Sequence, residues 1–449
     1  QTYGEFKKAA KEFAKVVPGG KTMAEAYHKM GELSKTFVSE DAWFEHFGLV
    51  TVGPVDGHDL PTLIDVLNEA KHFDRPMVLH VKTVKGKGFR FAEGDSTTFH
   101  SPSPFTMSND DGDELVSEGC RVELKKSARS FTSAFGDILN DLMARDPKVV
   151  ACTAAMPDGT GVSKVINRFP DRVFDTGICE SHALDMMAGL AKTGWKPFLA
   201  VYSTFLQRAF DQAFQEAALQ GLPVRLCLDR AGFVGGDGAV HHGFCDVALL
   251  ATLPNACLMA AMDEPSLKAS VEFMAGFDAG LSAVRYPRDS VSPMYASNTT
   301  CPPFVLGKAR ALVTYADTQV ALIGYGTSAI DASEAARELA LDGIKADVYD
   351  ARFAKPVDVD LIASLVARGV PIVTVEDHSI RGGFGACVLE ACNDRRIETR
   401  GITRMAMPDS WVYQGERKEQ LAEVGLDPAS IAATARKVAL KATRAAVGV

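Results

Sequence analysis

Short apolar runs that alternate with helical periodicity characterise the chain after residue 127. The runs at 149–153, 197–201, 224–229 and 256–260 are mostly apolar, and the stretches between them repeat apolar residues every three or four positions. Strands that are apolar along their length are typical of parallel sheets covered by helices on both faces. The pattern therefore predicts an α/β domain built on a parallel sheet.

A second and smaller α/β pattern follows a polar, proline-containing interruption at 297–303. Strands are predicted at 320–323, 345–349 and 372–375, with a helix between the first two. The interruption indicates a domain boundary because loops rich in proline and polar residues separate compact units.

The chain before residue 127 has a weaker pattern. Residues 1–46 are rich in lysine and predict helix, the turn at 53–59 leads into another helix, and 77–84 predicts a strand. Residues 94–120 are rich in Ser, Pro, Asp and Gly and predict a linker. We therefore predict three parts, at 1–120, 121–298 and 299–449.

Composition narrows the class of protein. Hydrophobic residues make up 47% and charged residues 23% of the 449 residues, which is the balance of a folded globular chain. The 57 acidic residues exceed the 48 basic ones, and the resulting net charge of −9 argues against binding to nucleic acid or to an anionic membrane through bulk charge. No apolar run approaches the roughly 20 residues of a membrane helix, and a cytoplasmic location is expected. The nine cysteines form no CxxC pair, which argues against a zinc knuckle or a disulfide framework.

One motif suggests a dinucleotide site. Gly324, Gly326 and Ala329 match the G-x-G-x-x-G/A pattern after a predicted strand, and Asp350 lies about 20 residues further on, where such sites carry a ribose-binding acid. Tight strand-to-helix turns use glycine for the same local reasons without any nucleotide. We favour this structural explanation because the pattern is short and lies in the last part of the chain.

Polar side chains follow three predicted strands. Glu180 lies where an apolar stretch ends and a helix begins, Tyr202 follows the run at 197–201, and Arg230 follows the run at 224–229. The carboxyl ends of parallel strands share one rim, where open α/β sheets bind ligands, so these residue types indicate an active site. The alternatives are that Glu180 only complements its helix dipole, or that it pairs with Arg230 at a domain surface.

A glycine-rich loop at 235–243 carries Asp237 and the adjacent His241 and His242. Neighbouring side chains diverge, so we expect only one of the histidines to face a cleft, where it could move protons near neutral pH. Arg288 ends an Arg-Tyr-Pro-Arg sequence, and guanidinium groups bind phosphate well. The alternative for the loop is a surface loop with solvated histidines, and the alternative for the Arg-Tyr-Pro-Arg sequence is a pair of surface arginines.

The order of the motifs resembles the 1-deoxy-D-xylulose-5-phosphate synthases, thiamine-diphosphate enzymes of the transketolase superfamily, along essentially the whole chain. Many linked motifs in one order are more specific than any of them alone. The resemblance implies three-layer α/β domains that bind thiamine diphosphate and a smaller C-terminal α/β domain of the transketolase type. The matching segments are 53–58, 153–161, 178–183, 202–208, 229–232, 241–243, 285–288, 351–356 and 382–385.

The resemblance also implies an activity and roles for the residues. The family condenses pyruvate with D-glyceraldehyde 3-phosphate, with loss of CO₂, and supplies isoprenoid, thiamine and pyridoxal synthesis. It implies a homodimer, and Glu180 as the catalytic carboxyl group on the aminopyrimidine of the cofactor. Further implied roles are cofactor binding by Phe205 and Ile178, catalysis by His58 and His241, and substrate binding by Tyr202, Arg230, Asp237 and Arg288.

The chain departs from the family at several places. Asp289 follows Arg288 where glycine is usual, Cys179 and Ser181 flank the implied catalytic glutamate, and 412–415 replaces a familiar Glu-His-Gly ending. The last change puts the role of that segment in doubt.

The expected metal ligands are missing from the sequence. The family holds Mg²⁺ and the cofactor diphosphate with a Gly-Asp-Gly motif and a later asparagine, and no counterpart precedes residue 53. We therefore predict no metal ligand in this chain and expect it to begin partway through the first domain. The missing part is expected either as truncated sequence or on a separate chain, and the isolated chain is expected to have weak activity or none.

Three functions stay open at this point. They are the synthase reaction of the family, a transketolase-type subunit with other substrates, and a non-catalytic assembly module. Glu180, Arg230, His241 and Arg288 occur together, which argues against the third because a scaffold has no need for that combination.

Overall fold

The computed structural model describes residues 40–100, 102–108, 121–125, 128–295 and 301–447. The chain divides into two compact units, Gln1–Ser127 and Ala128–Val449. The part of the predicted helix before residue 40, residues 109–120 of the predicted 94–120 linker, and residues 297–300 of the predicted interruption lie outside the described residues.

Two small sheets form the described part of the first unit. Strands β1 (Val50–Asp56) and β2 (Met77–Lys82) pair in parallel, and helix α1 (Leu60–Ala70) connects them. Strands β3 (Phe105–Ser108) and β4 (Arg121–Leu124) pair in antiparallel fashion, so the segment predicted as an irregular linker contains a strand. Shorter helical segments lie at Glu40–Phe47, Arg90–Gly94 (α2) and Thr98–His100.

Two larger sheets form the described part of the second unit. Their strands are β5 (Val149–Thr153), β6 (Val173–Asp175), β7 (Lys196–Tyr202), β8 (Arg225–Asp229), β9 (Cys257–Ala260), β10 (Ser282–Arg285), β11 (Arg310–Val313), β12 (Val320–Tyr325), β13 (Ala346–Asp350), β14 (Phe353–Lys355), β15 (Ile372–Ser379) and β16 (Ile402–Met407). The seven-stranded sheet has the order β14-β9-β10-β8-β7-β5-β6, and the five-stranded sheet has the order β11-β13-β12-β15-β16.

Both sheets are parallel except at one edge pair each. The exceptions are β14 with β9 and β11 with β13, which are antiparallel. The predicted α/β class is therefore confirmed, with the correction that neither sheet is purely parallel. Helices connect the strands; they are α3 (Phe131–Arg145), α4 (Ser163–Ile166), α5 (Glu180–Lys192), α6 (Phe210–Gln212), α7 (Asp246–Ala251), α8 (Glu264–Gly276), α9 (Ser328–Leu341), α10 (Val359–Ala367), α11 (Phe384–Asp394), α12 (Arg417–Glu423) and α13 (Pro428–Val447).

The seven-stranded sheet is buried on both faces, which explains its apolar strands. In β7, Leu199 and Val201 pack into one apolar cluster, whereas Phe198 and Ala200 pack into another on the opposite face. The first cluster also contains Ile323 of the five-stranded sheet, so the two sheets share a core. The boundary at residue 298 stays a prediction. None of the helices in the described ranges is long and apolar enough to cross a bilayer.

Candidate functional site

The carboxyl ends of neighbouring strands form one rim of the seven-stranded sheet. Tyr202, the last residue of β7, pairs with Asp229 at the end of β8, and Leu228 pairs with Arg285 at the end of β10. Because these pairs are parallel, the segments that follow β7, β8 and β10 leave the sheet on the same side. The sequence predicted this rim from the positions where the apolar runs end.

Arg230 is fixed against Tyr202 at this rim. Its guanidinium carbon lies 4.3 Å from the centroid of the Tyr202 ring, and its Nη1 donates to the carbonyl oxygen of Gly159 and, at 2.9 Å, to Asp229. Arg230 has a positive φ of 59°, a backbone conformation that costs a non-glycine residue energy and is often found at functional sites. Burial raises the pKa of Tyr202 to about 12, so the Tyr202 hydroxyl keeps its proton and can donate a hydrogen bond.

Asp229 supplies the negative charge next to Arg230. It is fully buried, and its Oδ2 accepts a 2.8 Å hydrogen bond from the Thr132 hydroxyl. Burial raises the pKa of Asp229, and the adjacent Arg230 charge opposes that rise. The guanidinium is thus held by an acid inside the protein, and its side chain is only 12% exposed.

Glu180 is the first residue of α5 and is buried, with 4% of its side chain exposed. Its Oε2 lies 3.0 Å from Nη1 of Arg208, and its Oε1 accepts a 3.2 Å hydrogen bond from the same nitrogen. The alternative of a Glu180–Arg230 pair is therefore wrong, since Arg208 and Asp229 are the respective partners. Within the described residues, Oε2 has no hydrogen-bond donor besides this ion pair.

Sequence reasoning missed the role of Arg208. This residue ends the 3₁₀ helix Ser203–Ala209 together with Ala209, and its side chain is 55% exposed. The signal available in the sequence was the arginine that ends the 202–208 motif, and this signal is weak because surface arginines are common.

Phe205 lies between Tyr202 and His241. Its ring stacks on the Tyr202 ring at 5.5 Å with an interplanar angle of 11°, and the His241 ring meets it edge-on at 5.7 Å. Nδ1 of His241 is 3.0 Å from the carbonyl oxygen of Asp237. A ring nitrogen facing a carbonyl must carry the hydrogen, which leaves Nε2 of neutral His241 as an acceptor.

His242 points away from this group, as we expected for adjacent histidines. It is buried, its Nδ1 accepts from the backbone N–H of Val234 at 3.3 Å, and its Nε2 donates to the carbonyl oxygen of Val412 at 3.2 Å. Burial lowers the pKa of His242, so the ring favours the neutral form that this pair of hydrogen bonds requires.

Arg288 joins the same loop through Asp237. Its Nη1 lies 3.2 Å from Oδ1 of Asp237 and donates to the carbonyl oxygen of Val234 at 3.2 Å. Both side chains are partly exposed, at 39% for Arg288 and 31% for Asp237. The predicted residues thus form contacting groups: Tyr202 with Phe205, Arg230 and His241, and Asp237 with Arg288.

Three predicted residues are not placed in these groups: Glu180, which contacts Arg208 instead, Ile178 and His58. Ile178 is 68% exposed and lies two residues before Glu180. His58 belongs to the first unit, where its Nε2 accepts a 2.8 Å hydrogen bond from the backbone N–H of Val84. Their roles stay predictions.

The dinucleotide pattern has a structural explanation. Asp350 is fully buried, and its Oδ1 accepts from the backbone N–H of Arg352 at 3.1 Å, so it is not placed to bind a ribose. A Cβ atom on Gly324 would lie 2.3 Å from the nitrogen of Ala329, which shows that this glycine permits close packing of strand on helix. Gly326 has a positive φ of 68°.

Comparison with known proteins places the chain in a family. Residues 1–83 match the family model for 1-deoxy-D-xylulose-5-phosphate synthase, 127–293 match the transketolase pyrimidine binding domain, and 307–431 match the transketolase C-terminal domain. The 1-deoxy-D-xylulose-5-phosphate synthase of an Anaeromyxobacter species is 40% identical over 442 residues, which cover 98% of this chain and 68% of that protein. The chain belongs to the 1-deoxy-D-xylulose-5-phosphate synthase family.

Further relatives show the extent of the match. A 1-deoxy-D-xylulose-5-phosphate synthase of Geobacter sulfurreducens is 40% identical over 96% of this chain and 66% of its own length, so the chain spans about two thirds of such relatives. Among solved structures, an inactive β4 tetramer of a split-gene transketolase matches with a TM-score of 0.61 and 27% identity over 70% of this chain and 99% of that one. The transketolase of Leishmania mexicana shares the fold, with a TM-score of 0.58 and 18% identity over 71% of this chain and 46% of that one.

The thiamine-diphosphate chemistry of the 1-deoxy-D-xylulose-5-phosphate synthase family can be tested against these residues. Glu180 offers a buried carboxylate oxygen with no hydrogen-bond donor besides the Arg208 ion pair, and Phe205 offers a partly buried flat ring. These groups fit the hydrogen bond and the stacking that an aminopyrimidine needs. In the described part of the chain, no three His, Cys, Asp or Glu side chains are grouped so that they could hold a metal ion.

Proposed function

We propose that the chain contributes the pyrimidine-binding and acceptor-binding part of a 1-deoxy-D-xylulose-5-phosphate synthase. This reaction condenses pyruvate with D-glyceraldehyde 3-phosphate and releases CO₂. Family membership supports the reaction, and one structural observation supports the site: the buried Glu180 carboxylate, one oxygen of which has no hydrogen-bond donor besides the Arg208 ion pair, lies on α5 beside the 3₁₀ helix that carries Phe205. The product would feed isoprenoid, thiamine and pyridoxal synthesis.

Each side chain has a defined task in this proposal. When bound, thiamine diphosphate supplies the electron sink that decarboxylation of pyruvate requires. Glu180 accepts a hydrogen bond from the pyrimidine, and Arg208 provides its counter-charge in the buried site. Phe205 supports the flat ring by stacking, and Ile178 adds an apolar contact.

The acceptor would bind next to the glycine-rich loop. Arg288 is the more exposed guanidinium and would exchange Asp237 for the phosphate of glyceraldehyde 3-phosphate, while Arg230 adds positive charge from its fixed position. The Tyr202 hydroxyl stays protonated and can donate to a substrate oxygen. Nε2 of His241 can take or return a proton there. The family resemblance also supports a catalytic role for His58, which belongs to the first unit.

Several finer points belong to the same proposal. We infer Mg²⁺ bound by residues outside this segment, a homodimer, and a cytoplasmic location. The similar split-gene transketolase chain is described as an inactive β4 tetramer, which supports the expectation that this chain alone has weak activity or none. A complementary chain or segment would then complete the enzyme. A transketolase-type reaction with other substrates is the second candidate, and the 27% identity to that chain favours it more than a scaffold role.

Binding and turnover measurements test the proposal. Calorimetry with thiamine diphosphate and Mg²⁺ should show weak binding to the isolated chain, and tight binding would contradict its dependence on a second part. In enzyme reconstituted with the N-terminal part of a family member, pyruvate with glyceraldehyde 3-phosphate should turn over faster than ketose phosphates. The opposite order would favour the second candidate.

The glutamate is tested in the same reconstituted enzyme. Glu180→Ala should lower turnover by about 10²-fold or more, because it removes a group that acts on a proton in the reaction. Glu272→Ala is the matched control, since that glutamate pairs with Arg145 on the surface. Near-normal turnover in Glu180→Ala would remove the basis of the proposal.

A further inference from the structure

A segment of the C-terminal part contacts the glycine-rich loop. We call residues 412–420 the brace and residues 232–243 the substrate loop. Gln420 of the brace is buried, and its Oε1 accepts a 3.1 Å hydrogen bond from the backbone N–H of Gly235. Its Nε2 donates to the carbonyl oxygen of Tyr413 at 2.7 Å. One amide group thus connects the loop to the brace and fixes the brace itself.

Two further hydrogen bonds connect brace and loop. Nε2 of Gln414 donates to the carbonyl oxygen of Gly236 at 2.9 Å. Nε2 of His242 donates to the carbonyl oxygen of Val412 at 3.2 Å. The loop is therefore held on both sides of Asp237 by groups that lie about 175 positions later in the chain.

Arg417 extends the brace to the neighbour of Arg288. Its Nη1 lies 2.9 Å from Oδ2 of Asp289, and its Nη2 lies 2.7 Å from Oδ2 of Asp377. Only 13% of the Arg417 side chain and 6% of the Asp377 side chain are exposed, so this pair is largely shielded from water, whereas Asp289 is 44% exposed. Asp289 directly follows Arg288, and this contact therefore limits the positions that Arg288 can take.

Asp377, which pairs with Arg417, also binds the start of the substrate loop. Both of its carboxylate oxygens accept from the backbone N–H of Phe233, at 3.1 and 3.2 Å. A Cβ atom on Gly232 would lie 2.1 Å from Oδ2 of Asp377, so the carboxylate packs directly against the loop backbone. Through Asp377 and Asp289, Arg417 connects the beginning of the substrate loop with Arg288.

We propose that Arg417 and Gln420 are positioning residues, which hold the substrate loop and Arg288 in the arrangement that receives the phosphate of the acceptor. This inference rests on the proposed function for the phosphate, but the ordering of the loop does not depend on it. The brace includes the 412–415 segment whose role the sequence left in doubt, and its partner Asp289 is another of the departures from the family.

The test uses the full chain and two measurements. Hydrogen exchange of a peptide spanning 232–236 reports the amides of Phe233 and Gly235, which donate to Asp377 and Gln420. Calorimetry with sn-glycerol 3-phosphate, a stable three-carbon phosphate ester, reports the phosphate site. Arg417→Ala should speed loop exchange and weaken this binding by about tenfold each, as expected for loss of a largely buried ion-pair partner.

Matched variants separate positioning from general stability. Arg417→Lys keeps the charge and should restore phosphate affinity in part, whereas Arg436→Ala, which removes ion pairs to Glu338 and Asp342, should behave like the parent. A peptide from β12 monitors the core. If Arg417→Ala raises exchange in β12 as well, Gln420→Met tests whether the brace orders the loop. This variant removes the acceptor of the Gly235 N–H hydrogen bond and leaves Arg417 in place.

The outcomes are distinct. Loop exchange equal to the parent in Arg417→Ala and Gln420→Met would overturn the brace. Faster loop exchange with parental affinity for glycerol 3-phosphate would overturn its positioning role. A parent chain that binds no glycerol 3-phosphate would count against the proposed function, and the exchange data would still decide whether the brace orders the loop.

Discussion

The close contact between Gly159 and Tyr202 gives a sharp prediction about the rim. A Cβ atom on Gly159 would lie 2.1 Å from Oη and 2.9 Å from Cζ of Tyr202. Tyr202 cannot simply move, because the residue is 6% exposed and its ring stacks on Phe205 and lies under the guanidinium of Arg230. Alanine at position 159 must therefore displace the ring and the groups packed on it.

The size of the effect follows from this crowding. Inserting a methyl group into a well-packed site costs about 1–3 kcal/mol, so Gly159→Ala should lower the free energy of unfolding by about that amount. Gly189→Ala is the matched control, since Gly189 lies in α5 with no atom within 4 Å of an added Cβ. Alanine is the better helix former by about 0.5–1 kcal/mol, so this variant should be slightly more stable than the parent.

Urea unfolding followed by circular dichroism measures both variants. The double variant Gly159→Ala/Tyr202→Phe removes the oxygen at 2.1 Å but leaves the ring carbon at 2.9 Å, so it should recover only part of the lost stability. If Gly159→Ala unfolded at the same urea concentration as the parent, the rim would be looser than described and Tyr202 would not be a fixed support for Arg230.

Two further variants test buried groups elsewhere in the second unit. Burial raises the pKa of Asp350 to about 7, so the folded protein keeps this proton where the unfolded chain loses it, and stability falls as the pH rises towards 7. Asp350→Asn should remove that fall, and urea stabilities of variant and parent that run parallel between pH 5 and 8 would contradict the prediction. Gly232→Ala should lower the free energy of unfolding by about 1 kcal/mol or more beyond the effect of Gly177→Ala in the same assay. Both glycines have a positive φ, but only Gly232 lies against the Asp377 carboxylate. Equal losses of stability in the two variants would show that backbone strain alone causes the effect.

The strand pattern could be predicted from the sequence where burial on both faces leaves a long apolar run. The predicted strands 149–153, 197–201, 224–229 and 256–260 overlap β5, β7, β8 and β9. The short strand β14 has three residues and joins its sheet from about 90 positions beyond β9, so no local pattern reveals it. Local sequence reports burial, but it does not report which distant edge a short strand will join.

The candidate site shows the same division. The rim position of Tyr202 and Arg230 follows from where the strands end, and this could be read from the sequence. The partner of Glu180 could not, because an acid near two arginines can pair with either, and only the fold shows that Arg208 is closer. The brace was also beyond prediction, since its contacts join segments far apart in the chain.

The position of β14 has a consequence for anyone who divides this protein. Phe353–Lys355 closes the outer edge of the seven-stranded sheet beside β9, although it comes after β13 of the other sheet. A polypeptide ending near residue 298 would expose the backbone donors and acceptors of β9, and uncovered strands of this kind recruit other chains. Domain exchange with a relative should therefore transfer the two sheets together, since swapping either one alone invites aggregation.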